Sequence, residues 1–155
     1  METPLVLAVI RQESAFSVDA KSHAGALGLM QLTPGTARKV AKQLNIKYFR
    51  KRLRIDADYN LILGQTYLAG LLKLFDGSYV LALAGYNAGP ARVFRWLRDY
   101  GDPRTNVVET IDWIEMIPFN ETRNYVQRIL ENLQVYRLRL AETEVAQNLE
   151  NDLKR

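Results

Sequence analysis

The strongest constraint on this chain is a rhythm: apolar residues recur at every third or fourth position between proline and glycine breaks, and no stretch alternates apolar with polar residues. That spacing lines up side chains on one face of an α-helix, whereas a half-buried strand needs a period of two. Thr3-Pro4 reads as an N-cap followed by proline in the first turn, and Leu5, Ala8, Val9 and Gln12 carry the helix to about Glu13 or Ser14. Thr33-Pro34 repeats the signal ahead of Ala37, Val40, Ala41 and Leu44. Asp56 or Asp58 caps a long segment with Tyr59, Ile62, Leu63, Tyr67, Leu71, Leu74 and Phe75 on one side and Leu61, Leu68 and Leu72 on the other. Apolar on both sides, it is expected to be the central helix, buried all round. Gly64 and Gly70 inside it each weaken helicity by about 1 kcal/mol, so a close backbone approach is expected at both. Ser78 caps a helix from Tyr79 to about Asn87, and Gly89-Pro90 opens another through Val93, Trp96 and Leu97. Asp99 to Thr105 reads as a loop, and Ile111 to Ile117 as a short helix stopped by Pro118. An amphipathic helix follows from Asn120, with Val126, Ile129, Leu130, Leu133, Tyr136 and Leu140 inward. The fold class is all-α, with one domain over residues 1–141 and a polar tail over 142–155 that keeps Val145, Leu149 and Leu153 at near-helical spacing.

Composition narrows the chemistry. With 155 residues, 48% hydrophobic and 25% charged, the chain sits in the ordinary globular range, and disorder is excluded. No run approaches the roughly 18 apolar residues of a membrane-spanning helix, so stable membrane insertion is not expected. There is no cysteine, and His23 is the only histidine. Disulfides and thiolate metal sites are therefore excluded, catalytic zinc and Ser-His-Asp chemistry are disfavoured, and no metal or cofactor is expected. Lys and Arg number 21 against 17 Asp and Glu, a net charge of +4 that mildly favours polyanions. The densest basic run, Lys47, Arg50, Lys51, Arg52 and Arg54 with Tyr48 and Phe49 between, reads as a solvated connecting face rather than a nucleic-acid patch. Nucleic acid is not an expected partner.

Three stretches are odd for a plain helical domain. Glu13 closes an otherwise apolar helix, where the negative end of the helix dipole disfavours its carboxylate; desolvation would push the same way, toward a general acid. Position alone fits a surface glutamate at a fraying helix end as well. Ser22 to Leu32 crowds glycine and alanine before an apolar run carrying one amide, Gln31. Such glycines let backbone approach a ligand, and they equally suit a tight helix crossing. Ala84 to Pro90 places Tyr86 and Asn87 before a sharp break, a pair able to bind sugar hydroxyl and acetamido groups without charge, or to serve as a core residue and a C-cap.

Taken in order, Arg11-Gln12-Glu13-Ser14-Ala15-Phe16, Gly25 through Gln31 with Pro34-Gly35-Thr36-Ala37, Tyr86-Asn87-Ala88-Gly89-Pro90, Ile117-Pro118-Phe119 and Glu121 through Val126 resemble the catalytic domain of the soluble lytic murein transglycosylases. The resemblance spans roughly Pro4 to Leu140. It implies a goose-type lysozyme-like fold, action on peptidoglycan glycan strands in a periplasmic or cell-envelope setting, and a large helical region ahead of this domain. The N-terminus shows no secretory signal, so that location follows from the substrate. The resemblance assigns the catalytic acid/base to Glu13 and substrate contacts to Ser22, Gln31, Tyr86, Asn87, Glu121 and Tyr125. Thr33 falls where some relatives carry a methionine beside the sugar. Gly85 replaces the alanine usual before Tyr-Asn-Ala-Gly, a missing methyl expected to loosen packing there.

Most glycosidases use two carboxylates. The resemblance implies one: Glu13 protonates the bond between N-acetylmuramic acid and N-acetylglucosamine, the acetamido oxygen supports the anomeric carbon, and Glu13 then takes the 6-hydroxyl proton to close a 1,6-anhydro ring without water. Phe16, Leu29 and Met30 are the apolar neighbours expected to keep Glu13 protonated. Two alternatives stand beside it. One is a hydrolysing muramidase using Asp19, Asp56, Glu115 or Glu121 to activate water; the other is a catalytically silent glycan-binding module.

Overall fold

The structure, a computed structural model, describes residues 1–105, 107–141 and 149–154. Among them it is all-helical: α1 (Thr3–Ser14), α2 (Pro34–Gln43), a 3-10 turn (Arg50–Arg54), α3 (Ala57–Leu74), α4 (Tyr79–Ala88), α5 (Pro90–Tyr100), α6 (Thr110–Met116), α7 (Asn120–Leu140) and α8 (Leu149–Lys154). Among the described residues β-pairing is confined to isolated bridges of Leu27 with Lys21 and with Leu32. The chain divides into two compact units, residues 1–69 and 70–155.

In the first unit α1 buries Leu5, Val6, Ala8, Val9 and Ile10. Its N-cap is Glu2 rather than Thr3, with no side-chain cap bond, so the proline falls in the first turn one residue further in than expected. The second cap is as expected: Thr33 Oγ1 accepts from the Thr36 N–H at 3.2 Å and starts α2. Asp56 caps α3 by accepting the Tyr59 N–H at 2.9 Å, and it also receives a bidentate Arg52 guanidinium. These bonds, the Tyr59 N–H foremost, hold the Asp56 carboxyl below the ordinary range.

Asn60 in α3 is fully buried and organises this unit. Its Oδ1 accepts the Met30 N–H at 2.9 Å, and its Nδ2 donates to the Leu27 carbonyl at 2.9 Å and the Leu53 carbonyl at 3.0 Å. One amide thus joins the loop before α2, the 3-10 turn and α3. The two helical glycines differ. A Cβ on Gly64 would lie 2.3 Å from Met30 Sδ and 2.7 Å from Met30 Cβ, so the expected close approach is real there, made by a side chain rather than backbone. Gly70 has nothing within 4 Å, and the approach expected there is absent.

In the second unit the helix buried almost all round is α4, not α3: of its ten residues only Asn87 is partly exposed, whereas Ile62 and Leu74 of α3 are 53% and 47% exposed. Ser78 caps α4 by accepting the Leu81 N–H. α4 packs on α5, α7 and α8. A Cβ on Gly85 would meet Phe75 Cε2 at 3.1 Å and Leu71 Cδ2 at 3.4 Å, so the missing methyl leaves no slack; the neighbours have closed over it. Trp96 of α5 meets Trp113 and Phe119 edge-on at 6.4 and 5.7 Å, which ties α5 to α6 and to the entry of α7. After α5, Arg104 grips Asp102 through both η and ε nitrogens and reaches Asp76 at 2.7 Å. Of the expected tail, residues 142–148, with Val145, and 155 lie outside the described residues. Residues 149–154 form α8, whose buried Asp152 accepts from Gln134 at 2.8 Å and from Arg137 of α7.

Candidate active site

The first unit positions Glu13, Ser22, Gln31 and Thr33 through one irregular loop. α1 stops because Ala15 turns left-handed (φ 49°) and donates its N–H to the Arg11 carbonyl; Phe16 follows at φ 67°. Left-handed conformation is costly for residues with a Cβ, and consecutive cases mark a place where surrounding structure holds the backbone against its preference. The reversal leaves Glu13 half-buried in the last turn, where unpaired carbonyls concentrate negative potential. Arg11 lies two residues away, a spacing that does not face Glu13 on a helix.

The loop then closes on itself. Ser22 Oγ accepts the Ala26 N–H at 3.0 Å while the Ser22 N–H donates to the Ala26 carbonyl at 3.0 Å, with Gly25 left-handed between them. Gly28, at φ 77°, lies so close to Asn60 and the Leu53 carbonyl that a Cβ would fall 1.9 Å from that oxygen. Only glycine fits. Gln31 is itself left-handed (φ 44°) and donates Nε2 to the Gly28 carbonyl at 2.7 Å, which orients its amide. Leu29 and Met30 are buried and Phe16 is exposed. Thr33 is occupied as the α2 cap and donates its hydroxyl to Thr36 Oγ1 at 3.0 Å.

The second unit positions Tyr86, Asn87, Glu121 and Tyr125. Tyr86 is buried near the end of α4, and Gly89 rather than Asn87 forms the C-cap. Asn87 Oδ1 instead accepts the Thr122 hydroxyl of α7 at 2.6 Å, which leaves the amide nitrogen to point elsewhere. Tyr125, one turn further along α7, is buried, and Glu121 is exposed in the first turn, where the helix dipole favours its charge. Thus α4 and α7 bring Asn87 together with the turn of α7 that carries Glu121 and Tyr125, and one loop, following Glu13 in the chain, carries both Ser22 and Gln31.

Sequence reasoning missed Thr122 and Asn60, which position these residues. Asn60 carried a signal, a lone amide between Tyr59 and Leu61 in a strongly apolar segment; Thr122 carried none beyond its place in the Glu121 to Val126 motif. Among the carboxylates considered as a second acid, Asp56 is committed to its cap and to Arg52, Glu115 accepts from Gln127 at 2.7 Å and faces Arg123 at 3.8 Å, and Asp19 accepts from Ser17 Oγ at 2.8 Å. Among the described residues no group of three or more His, Asp or Glu side chains is arranged to hold a metal, and no helix is long and apolar enough to cross a membrane.

The family described as the transglycosylase SLT domain matches residues 1–108, and that of the soluble lytic transglycosylase helical domain matches residues 116–144. The soluble lytic murein transglycosylase of Escherichia coli K12 is 37% identical over 132 residues, covering 84% of this chain and 20% of that protein. Membrane-bound lytic murein transglycosylase D of the same strain is 31% identical, covering 88% and 30%. Among solved structures, an inactive glutamate-to-glutamine mutant of lytic transglycosylase Slt from Pseudomonas aeruginosa is 42% identical with a TM-score of 0.80, over 90% of this chain and 22% of that one. The 70-kDa soluble lytic transglycosylase in complex with bulgecin A is 33% identical with a TM-score of 0.85, over 92% and 23%. The chain spans about a fifth of the length of the soluble relatives it matches. It shares the lysozyme-like all-α fold of these structures, and it belongs to the transglycosylase SLT family.

Proposed function

We propose that this chain is a peptidoglycan lytic transglycosylase domain that cuts the bond between N-acetylmuramic acid and N-acetylglucosamine without water, leaving a 1,6-anhydro end. The observation that carries the reading is Glu13: inside the segment matched by the transglycosylase family, it is the only acidic residue between Pro4 and Val18, half-buried at the negative end of α1. The first step requires an acid at that position.

In the proposed reaction Glu13 gives its proton to the glycosidic oxygen as the bond to the muramic anomeric carbon breaks. The substrate's own acetamido oxygen stabilises the developing cation, so no second protein carboxylate is needed. Glu13, now a carboxylate, takes the proton of the 6-hydroxyl as that oxygen bonds to the anomeric carbon, and the acid is regenerated. Tyr86 and Asn87 hold the acetamido group, with Thr122 orienting Asn87; Ser22, Gln31, Glu121 and Tyr125 line the sugar path. Thr33 contributes by capping α2 behind Gln31, and through it by contact with the sugar.

The partner is the peptidoglycan glycan strand, and the working location is the periplasm or cell envelope. Residues 1–141 form the catalytic domain. Glu13→Gln tests the reading. It should keep the fold and the affinity for glycan strands while lowering cleavage by at least about 10²-fold, the range of a lost general acid. A Glu13→Gln protein that cleaves at the wild-type rate would overturn it.

A further inference from the structure

Charge is distributed unevenly along the chain. Between Gly35 and Ile55 stand eight of its 21 Lys and Arg and none of its 17 Asp and Glu, so the rest of the sequence is net acidic. The reaction proposed above uses none of these cations. All eight are exposed, and among the described residues only Arg52 makes an ion pair, with Asp56. α2 buries Ala37, Val40 and Ala41, which leaves Arg38, Lys39 and Lys42 on its outer side. The same face continues into the turn that follows: Arg38 lies 5.3 Å from the Tyr48 ring centre, and Lys47 and Arg52 lie 5.3 and 6.0 Å from that of Phe49. The Tyr59 hydroxyl fixes this turn by accepting the Phe49 N–H and donating to the Lys47 carbonyl, both at 3.1 Å. Set among the cations are two apolar side chains turned to solvent, Ile46 and Phe49, 40% and 42% exposed.

The combination selects a partner. Cations alone suit any polyanion, and the acidic remainder of the chain turns this face toward a negative surface. A nucleic acid held without sequence readout stacks its bases on aromatic rings, but the Phe49 ring already has Lys47 and Arg52 over it, and Ile46 offers neither a stacking face nor a polar atom. A bilayer with anionic headgroups uses every part. Its phosphates meet the Lys and Arg groups, which stay at headgroup level on apolar stems, while Ile46 and Phe49 enter the boundary with the acyl chains. Such docking needs no membrane-spanning helix. We infer that the outer side of α2 and the turn after it form a reversible docking surface for an anionic phospholipid bilayer. The inference does not depend on the chemistry at Glu13.

Flotation of the full chain with phosphatidylcholine vesicles, with and without about 30% phosphatidylglycerol, measures the binding. Wild type should partition onto the anionic vesicles and not the neutral ones, and added salt should weaken the binding. The Lys39→Gln/Lys42→Gln/Lys47→Gln protein should bind about 10²-fold more weakly, which is roughly fivefold for each cation removed from an anionic surface. Ile46→Ser/Phe49→Ser should weaken binding about tenfold while leaving its salt dependence in place. Both variants change exposed side chains only, so their thermal unfolding should match wild type. A paramagnetic lipid in the vesicles provides a readout that needs no variant: amide NMR signals over residues 38–52 should broaden first. Equal binding to neutral vesicles, broadening centred elsewhere, or full binding by the triple variant would each overturn the inference. So would full binding by Ile46→Ser/Phe49→Ser, which would reduce the face to a general polyanion binder, and so would tighter binding of duplex DNA than of vesicles at equal phosphate. Glu13→Gln should bind vesicles as wild type does, so an inactive protein that still docks would sink the proposed function and leave the docking surface standing.

Discussion

Replacing Asn60 should cost more than any surface change in this chain, and the reason is polar rather than steric. Its side chain, 0% exposed, makes bonds of 2.9, 2.9 and 3.0 Å to the backbone of Met30, Leu27 and Leu53. A net hydrogen bond contributes about 1 kcal/mol, and a buried group that loses its partner costs about 1–3. The Leu27 carbonyl also accepts from the Leu32 N–H at 3.1 Å, so its loss is the cheapest of the three. Asn60→Ala should therefore lower stability by about 3–4 kcal/mol, a large share of the 5–15 typical of a domain. Asn60→Leu separates the causes: it restores the volume but not the bonds, so it should be no more stable than the alanine variant. Urea unfolding gives the free energies, and hydrogen exchange at the Met30 amide reports the specific bond, where protection should fall beyond the global loss. An Asn60→Leu protein as stable as wild type, or unchanged relative protection at Met30, would refute the reasoning.

Other outcomes follow from the same geometry. Gly64→Ala should destabilise by about 1–2 kcal/mol because the new methyl meets Met30, whereas Gly70→Ala, with open space around it, should stabilise by up to about 1 kcal/mol; thermal unfolding of the pair should show opposite signs. Thr122→Val should raise KM for glycan strands several-fold with little change in fold, by freeing Asn87, and Thr122→Ser should restore it. Hydrogen bonds from Arg104 hold the Asp102 carboxyl below its usual range, so its contribution, about 1 kcal/mol, is full above the ordinary carboxylate value and is lost as pH falls through the lower folded value. The stability gap between wild type and Asp102→Asn should close over that acid range and stay constant at neutral pH.

Much of this was legible in the chain because it rests on local chemistry. Thr33, Asp56 and Ser78 cap the helices they precede, Gly89-Pro90 breaks α4 from α5, and the residues between repeat at helical spacing. The sequence points to α3 as the buried helix because its apolar residues are many and large. The buried one is α4, whose Ala, Gly and Leu residues admit close neighbours on every side, while α3 turns Ile62 and Leu74 outward. Gly70 and Gly64 look alike in sequence, since what a Cβ would meet depends on packing from elsewhere in the chain. The candidate site divided the same way. Motif order points to Glu13, Gln31, Tyr86 and Asn87, but the bonds that anchor the loop beside Gln31 and orient Asn87 join residues 30 or more positions apart, Asn60 to Met30 and Thr122 to Asn87, and helical periodicity carries no record of such pairs. Thr33 and Ser22 show the converse, with side chains already engaged in a cap and a loop closure.

The central claim is that one carboxyl, Glu13, serves as acid and then as base while water stays out of the reaction. Mass spectrometry of the soluble products from purified peptidoglycan, with Glu13→Gln run beside wild type, tests it most directly. Anhydro-muropeptides from wild type and none from the variant are the predicted result; products one water heavier would contradict it and call for a second carboxylate.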